Sequence, residues 1–158
     1  MRRKECEITD MQQIRAFLSN CQVCRVAFCD QERPYLVPLS FGMAFDERGR
    51  LQTLYFHGAR EGRKIDHLKA NPKVCFEMDG KAQVKPGRVA CAFSMRYQSV
   101  IGWGTARFLE DIREKRTALN ALMAHYTDRP SWDYEEAQLA ATCVFCVDVD
   151  HFSCKLRA

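Results

Sequence analysis

A short basic segment carries the residues with the clearest chemical potential. Three cations, Arg60, Arg63 and Lys64, stand close to two glycines, Gly58 and Gly62. Glycine lets an anion approach the backbone closely, and arginine and lysine donate charge-assisted hydrogen bonds to it. A helix that begins at this point would add its free N–H groups and the positive end of its dipole. The segment therefore predicts an anion site that suits a phosphate group.

The residue types in this segment leave other interpretations open. A solvated basic turn would carry the same residues, and the segment is not a Walker A motif because no Ser or Thr follows Lys64 to hold magnesium. His57, which directly precedes Gly58, also has two interpretations. A lone histidine at the end of a strand is ordinarily a satisfied surface or core residue. Beside a reaction site, the same residue is a candidate proton donor.

Hydrophobic periodicity places the basic segment between a strand and a helix. The apolar run at 51–56 has the length of a strand. After Gly62 the period changes, because Ile65 and Leu68 are spaced three apart, as on one face of a short helix. Pro72 ends that helix, since the residue before a proline is disfavoured in the α conformation. A second strand is predicted to begin at Lys73.

The rest of the chain predicts short strands linked by turns, with few helices. The predicted strands are Gln22–Cys29, Tyr35–Phe45, Val89–Phe93, Tyr97–Leu109 and Thr142–Val149. One predicted helix follows Asp10 and another spans Asp111–Tyr126. The segment Asp79–Gly87 is predicted to be a loop. In the predicted helix Asp111–Tyr126, Glu114 and Lys115 are assigned to the polar side. Many hairpin-linked strands favour an antiparallel barrel over a parallel α/β sheet.

Proline and glycine mark two strands as unusual. Pro38 cannot donate to a sheet ladder, which predicts a bulge or an edge strand and leaves backbone groups near Val37 and Leu39 available to a planar ligand. An ordinary edge strand explains the same proline. Gly102 and Gly104 predict close approach by a ring or by another backbone. They are not a dinucleotide fingerprint, because the third glycine and the following helix are missing.

Length, composition and charge limit the class of protein to which the chain can belong. A chain of 158 residues has the size of one domain, 1–158, with one core. The apolar runs are too short for a membrane span, the N-terminus does not resemble a signal peptide, and a cytoplasmic protein is expected. The net charge of +4 is modest and mixed along the chain, so no nucleic-acid partner is predicted.

The nine cysteines are expected to be free thiols. Cys21 and Cys24, like Cys143 and Cys146, have the spacing of half a zinc site. Residues three apart in a strand point to opposite faces, however, so we assign no metal site and expect small buried side chains.

Three blocks of sequence resemble one protein family. The run YFHGAREGRKIDHLKANPKVCFE is preceded by PYLVPLSFG and followed by RYQSVIGWGTARFLED. In this order the blocks are similar to pyridoxamine 5'-phosphate oxidase-like flavin proteins, and most similar to the branch associated with nitroimidazole resistance. The resemblance implies a mainly β (α+β) fold, an antiparallel six-stranded split β-barrel of the FMN-binding type with short flanking helices. It also implies a homodimer with flavin at the subunit interface.

The resemblance assigns roles to particular residues. It implies FMN as cofactor, with its phosphate on Arg63 and Lys64 and on the N–H groups near Gly62. The other cofactor-binding residues that it implies are Val37, Pro38 and Leu39 beside the ring, His57, Gly58 and Ala59 beside the ring or ribityl chain, and Tyr97, Gln98 and Ser99 as hydrogen-bond partners. His57 is also the implied catalytic residue.

The implied activity is that of a flavin-dependent oxidoreductase. Reduced nicotinamide, NADH or NADPH, would dock transiently as electron donor, and a nitroaromatic such as a 5-nitroimidazole would be the small-molecule substrate. Two alternatives remain, a haem-binding split barrel and a flavin-binding protein without catalysis. The arginine-rich C-terminal substrate residues of true pyridoxamine phosphate oxidases are missing, which argues against that activity. Ser153-Cys154-Lys155 stands where Thr-Gly-Lys is expected and leaves the role of Lys155 open.

Overall fold

The chain folds around one antiparallel sheet of eight strands. The computed structural model describes residues 4–29, 33–129 and 132–157. Its strands are β1 (Glu7–Ile8), β2 (Cys24–Phe28), β3 (Tyr35–Leu39), β4 (Gly42–Phe45), β5 (Leu51–Gly58), β6 (Lys73–Lys85), β7 (Ser94–Leu109) and β8 (Cys143–Arg157). Its α-helices are α1 (Met11–Leu18), α2 (Arg63–Ala70), α3 (Ile112–Tyr126) and α4 (Glu136–Ala141), with 3-10 turns at Lys4–Cys6 and Ala90–Ala92.

The order of the strands gives the sheet two edges. The path runs β3-β2-β6-β7-β8-β5-β4, and β1 pairs with β8 beyond the end of β5. The sheet is not closed, which agrees with the predicted split barrel. The sheet has two strands more than the six that the resemblance implied, because β1 was not predicted and because the predicted strand at 35–45 is two strands, β3 and β4. No helix in the described part of the chain is long and apolar enough to cross a membrane.

Aromatic side chains fill the interior of the sheet. The largest fully buried rings belong to Phe28, Phe41, Phe56, Phe76 and Phe145. The apolar face of α1 adds Ile14, Phe17 and Leu18, as its sequence period predicted. The carboxylate of Asp10 begins this helix by accepting from the N–H groups of Gln12 at 2.8 Å and Gln13 at 3.1 Å.

Several segments differ from their sequence predictions, among them the closing strand predicted at 142–149, which continues to Arg157 as β8. The predicted strand at 35–45 breaks where the Phe41 N–H donates to the Tyr126 hydroxyl at 3.1 Å instead of to a strand. The predicted loop at 79–87 is mostly strand, because a bulge between Gly80 and Gln83 lets β6 continue to Lys85. The predicted strand at 89–93 contains a 3-10 turn instead. Helix α4 was not predicted.

Lys115 is buried rather than on the polar side of α3. Its side chain is 3% exposed. Its ammonium donates to the carbonyls of Thr142 at 3.0 Å, Leu139 at 3.3 Å and Ala140 at 3.4 Å. Helical periodicity could not reveal this location, because the acceptors belong to the end of α4 and are distant in sequence.

The glycines of β7 lie against other groups, as their positions predicted. A Cβ on Gly102 would lie 2.2 Å from the ring of Phe76 and 2.9 Å from the Cβ of Phe152. A Cβ on Gly104 would lie 2.4 Å from the backbone oxygen of Asp148. The approaching ring is therefore one of the protein's own.

Replacing Gly102 should destabilise the fold. We expect Gly102→Val to lower the free energy of unfolding by about 3 kcal/mol, because the new side chain overlaps the buried ring of Phe76 and the partly buried Phe152. Urea unfolding measures this loss. Ile101→Val, at the half-exposed neighbouring position, is the matched control and should change the free energy by less than about 1 kcal/mol. Equal stability of the two variants would contradict the packing of β7 against Phe76.

Candidate functional site

The loop between β5 and α2 has the local structure that its glycines predicted. Gly58 ends β5 opposite Cys143 on β8. Gly62 has φ 116°, a conformation that other residues rarely adopt, and it precedes the helix without a side-chain cap. The Gly62 carbonyl accepts from the N–H groups of Ile65 at 2.8 Å and Asp66 at 3.2 Å. The amino end of α2 therefore begins directly after the loop.

Lys64 places its ammonium over the end of β5. A Cβ added to Gly58 would lie 2.6 Å from Lys64 Nζ and 3.0 Å from the carbon that carries it. A side chain at position 58 would have to displace the end of the lysine side chain. The structure thus brings together Gly58, Gly62 and Lys64, three of the residues assigned to cofactor binding from the sequence.

The two arginines of the loop have different surroundings. The guanidinium of Arg63 lies over the ring of Tyr35, 4.7 Å from its centre, and its Nε is 3.3 Å from His67 Nε2. Arg63 therefore connects α2 to the start of β3. The guanidinium of Arg60 donates to the carbonyl of Ala140 at the end of α4. Arg60 thus fixes the loop to α4.

His57 directly precedes Gly58 on β5. Burial lowers its pKa below the ordinary value, and the charge of Lys64 lowers it further. Part of the ring still faces solvent, since the residue as a whole is exposed. His57 is consequently a mainly neutral imidazole near pH 7, within reach of a ligand at the loop.

Acidification should destabilise the protein through its histidines. Burial lowers the pKa of both His57 and His125 from 6.5. At acid pH the folded state therefore binds fewer protons than the unfolded state. The free energy of unfolding is unaffected by these histidines above about pH 6.5, and it decreases as the pH falls through their lowered pKa values in the folded state. We expect the free energy of unfolding, measured in urea, to decrease between about pH 7 and pH 5. A double His57→Gln and His125→Gln variant should show a shallower decrease, and an unchanged slope would contradict this origin.

A cavity of about 230 Å³ lies on the other side of the loop. Its lining includes Arg60, Ile65, Lys69, Lys115, Cys143 and Val144. Burial raises the pKa of the Cys143 thiol, although three nearby cations, Lys64, Lys115 and Arg60, favour the thiolate. Cys143 is therefore a protonated thiol at neutral pH. Neither the cavity nor the position of Cys143 opposite Gly58 was predicted, because both depend on pairing between distant strands.

The residues assigned beside the flavin ring lie on an edge strand, as Pro38 predicted. β3 is the last strand of the path, and Pro38 pairs with Arg25 on its inner neighbour. Val37 and Leu39 point toward the core and are half-buried, whereas Pro38 is exposed. Tyr35, at the start of the same strand, contacts the α2 residues Arg63 and His67. No sequence signal identified Tyr35 or His67 as neighbours of the loop.

Tyr97, Gln98 and Ser99 lie at the other end of the sheet. The stretch of β7 from Ser99 to Leu109, which lies next to the loop, spans roughly 30 Å at about 3.3 Å per residue. Gln98 is 5% exposed and its side chain bonds the Cys154 thiol in the interior. Within one chain, these three residues and the basic loop are separate.

The residues of the loop fit the phosphate end of a flavin nucleotide. A cation held over a glycine, next to an uncapped helix start, combines positive charge with a backbone that an anion can approach. The described residues contain no group of three or more His, Cys, Asp and Glu side chains positioned to hold a metal ion. The donor set of the loop is thus suited to an anion.

Comparison with solved structures found several proteins of similar fold. A structure from Bacteroides thetaiotaomicron VPI-5482, described as a candidate 5-nitroimidazole antibiotic resistance protein, is 34% identical, covers 95% of this chain and 86% of its own, and has a TM-score of 0.81. The flavocytochrome Anf3 from Azotobacter vinelandii is 20% identical over 100% of this chain and 72% of its own, with a TM-score of 0.80. An FAD and haem binding protein from Mycobacterium smegmatis is 22% identical over 95% and 72%, with a TM-score of 0.80.

The similarities to Anf3 and to the protein from Mycobacterium smegmatis show the fold alone, because the sequence identities are only 20% and 22%. None of the curated proteins matches the chain at a significant level. The family model described as pyridoxamine 5'-phosphate oxidase, however, matches residues 10–156. That match and the 34% identical structure confirm what the three sequence blocks indicated: this chain belongs to the pyridoxamine 5'-phosphate oxidase family.

Proposed function

We propose that this protein binds FMN, with the phosphate of the cofactor held by Lys64, Arg63 and the amino end of α2. The observation that carries the proposal is that the ammonium of Lys64 lies over Gly58, beside the uncapped amino end of α2. Membership of a flavin-binding family supports a flavin rather than another phosphate ester. FAD and haem, which similar folds bind, are the competing cofactors.

The cofactor site is completed by a second copy of the chain. Support for this homodimer comes from the distance between the basic loop and Tyr97–Ser99, which one chain does not bring together. The outer face of the sheet also exposes large apolar side chains, including Leu36 at 56% and Trp103 at 43%. Pairing of two chains through this face would bury them and give each loop a neighbour from the partner.

The proposed activity is reduction of nitroaromatic compounds such as 5-nitroimidazoles. The 34% identical structure from Bacteroides thetaiotaomicron supports this substrate class. Bound flavin supplies the electron transfer, with electrons taken from NADH or NADPH. Reduction of a nitro group to an amine takes six electrons and six protons and releases two waters, so it consumes three equivalents of NADH or NADPH, each of which would pass two electrons through the flavin. His57 is the proton donor of this scheme, because it is a partly exposed imidazole at the end of β5 that could exchange protons with solvent.

One series of spectra tests the proposal. The purified protein should show flavin absorption without a haem band, and mass spectrometry of the released cofactor should give FMN and not FAD. NADH or NADPH should bleach the flavin, and a 5-nitroimidazole added without oxygen should restore its colour. A haem spectrum would overturn the cofactor assignment. Bleaching without reoxidation by any nitroaromatic would leave a flavin-binding protein and overturn the activity.

A further inference from the structure

The cavity on the other side of the basic loop has a positively charged lining. Its volume is about 230 Å³, and three of the side chains that line it are the cations Arg60, Lys69 and Lys115. Glu110 is the one carboxylate among the described residues of the lining. Three positive charges against one negative charge favour an anion in this cavity.

Lys115 is the most deeply buried of these cations. Its side chain is 3% exposed, and its ammonium donates to the backbone carbonyls of Leu139, Ala140 and Thr142. These neutral oxygens satisfy the N–H groups but leave the positive charge uncancelled. Buried charges in proteins are ordinarily paired with an opposite charge, yet no carboxylate among the described residues forms an ion pair with Lys115. An anion in the cavity would supply the missing negative charge.

Arg60 brings a second cation to the same backbone oxygen. Its guanidinium donates to the carbonyl of Ala140, which also accepts from the ammonium of Lys115. The two positive groups therefore lie side by side and repel each other, and an anion between them relieves the repulsion. A guanidinium has five N–H groups arranged as a fork that matches a carboxylate. Arg60 thus has further donors for a ligand besides the one that holds Ala140.

The apolar part of the lining limits the kind of anion. It consists of Ile65, Phe108, Leu109 and Val144. Such a wall stabilises carbon atoms and offers nothing to a fully hydrated inorganic ion. The cavity is also smaller than the roughly 300 to 1,000 Å³ of pockets for drug-sized molecules. A short carbon chain that ends in one carboxylate matches both the charge and the wall.

We propose that this cavity binds a small aliphatic monocarboxylate, with the carboxylate group beside Arg60 and Lys115 and the carbon chain against Ile65 and Val144. Neither Lys64 nor Arg63, the cations assigned to the FMN phosphate, belongs to the described lining. The site is therefore separate from the proposed phosphate site, and it does not depend on the proposed function.

NMR titration of the full-length chain with sodium butyrate at pH 7 and constant ionic strength tests the site. Butyrate should shift the backbone signals of Glu110, Cys143 and Val144. Butyramide, which has the same shape without the charge, should bind at least about tenfold more weakly. From acetate through propionate to butyrate, each added methylene should tighten binding by up to about fourfold. Equal affinity for butyrate and butyramide, or for acetate and butyrate, would overturn the proposal.

Three variants test the charges of the lining. Arg60→Gln should weaken butyrate binding by about tenfold. Glu110→Gln removes the like charge and should tighten binding by about threefold, an effect that a purely structural role of Glu110 would not produce. Arg113→Gln, at an exposed position of α3 outside the lining, is the control and should change the affinity by less than about twofold. Unchanged or weaker binding in Glu110→Gln would contradict the proposal even if Arg60→Gln fails to fold.

FMN separates this site from the cofactor site. Saturating FMN should leave the dissociation constant of butyrate within about threefold of its value in the flavin-free chain. If FMN displaces butyrate, the cavity is part of the phosphate site and the proposal of a separate site is wrong. If the chain binds butyrate but not FMN, the proposed function fails and the carboxylate site stands.

Discussion

Lys64→Ala should weaken FMN binding by about ten- to a hundredfold. The reason is that the variant removes one charge-assisted hydrogen bond to the phosphate, worth roughly 1.5 to 3 kcal/mol. The ammonium of Lys64 lies over Gly58 in the folded protein, next to the amino end of α2. Titration of the flavin-free protein with FMN, followed by the quenching of flavin fluorescence, measures the dissociation constant.

Two controls isolate the phosphate contact. Lys69→Ala removes the same charge from the same helix at an exposed position and should change the affinity for FMN by less than about threefold. Riboflavin, which lacks the phosphate, should bind wild-type and Lys64→Ala equally. Wild-type affinity for FMN in Lys64→Ala, or an equal loss for riboflavin, would refute the assignment of Lys64 to the phosphate.

His57→Ala should slow the oxidation of reduced flavin by a 5-nitroimidazole by about a hundredfold. The expected magnitude is that of a lost general acid, since the imidazole is the proton donor of the proposed scheme. The flavin should remain bound, because the backbone of Gly58 and the charge of Lys64 are unchanged. Stopped-flow mixing of dithionite-reduced protein with the nitroimidazole measures this step without the nicotinamide donor.

His67→Ala is the matched control for this variant. It removes a second imidazole near the loop, one that contacts Arg63 and Tyr35 instead of Gly58. Its oxidation rate should stay within about threefold of wild type. If His57→Ala retains flavin and also retains the wild-type rate, His57 takes no part in the chemistry.

The sequence predicted the loop well because its signals are local. Gly58, Gly62 and Pro72 mark the ends of β5 and α2 through their own backbone preferences, and these boundaries agree with the structure to within a residue or two. Pro38 correctly indicated an edge strand for the same reason. Gly102 and Gly104 correctly indicated close packing, although the sequence could not say which ring or backbone approached them.

Features that depend on long-range pairing were not predictable. Cys143 lies opposite Gly58 because β5 pairs with β8, and nothing near either residue specifies that register. Lys115 follows the polar period of α3 but is buried by the end of α4, a helix whose short sequence gave no signal. The distance of Tyr97–Ser99 from the loop is likewise a property of the whole sheet. Their assignment to the cofactor stays a prediction.

A crystal structure of the protein with its bound cofactor tests the central claim most directly. We predict the phosphate of FMN within hydrogen-bond distance of Lys64 Nζ and of the first N–H groups of α2, with Tyr97–Ser99 of a second copy near the flavin. A structure in which the loop faces bulk solvent while a cofactor occupies another part of the sheet would contradict the account.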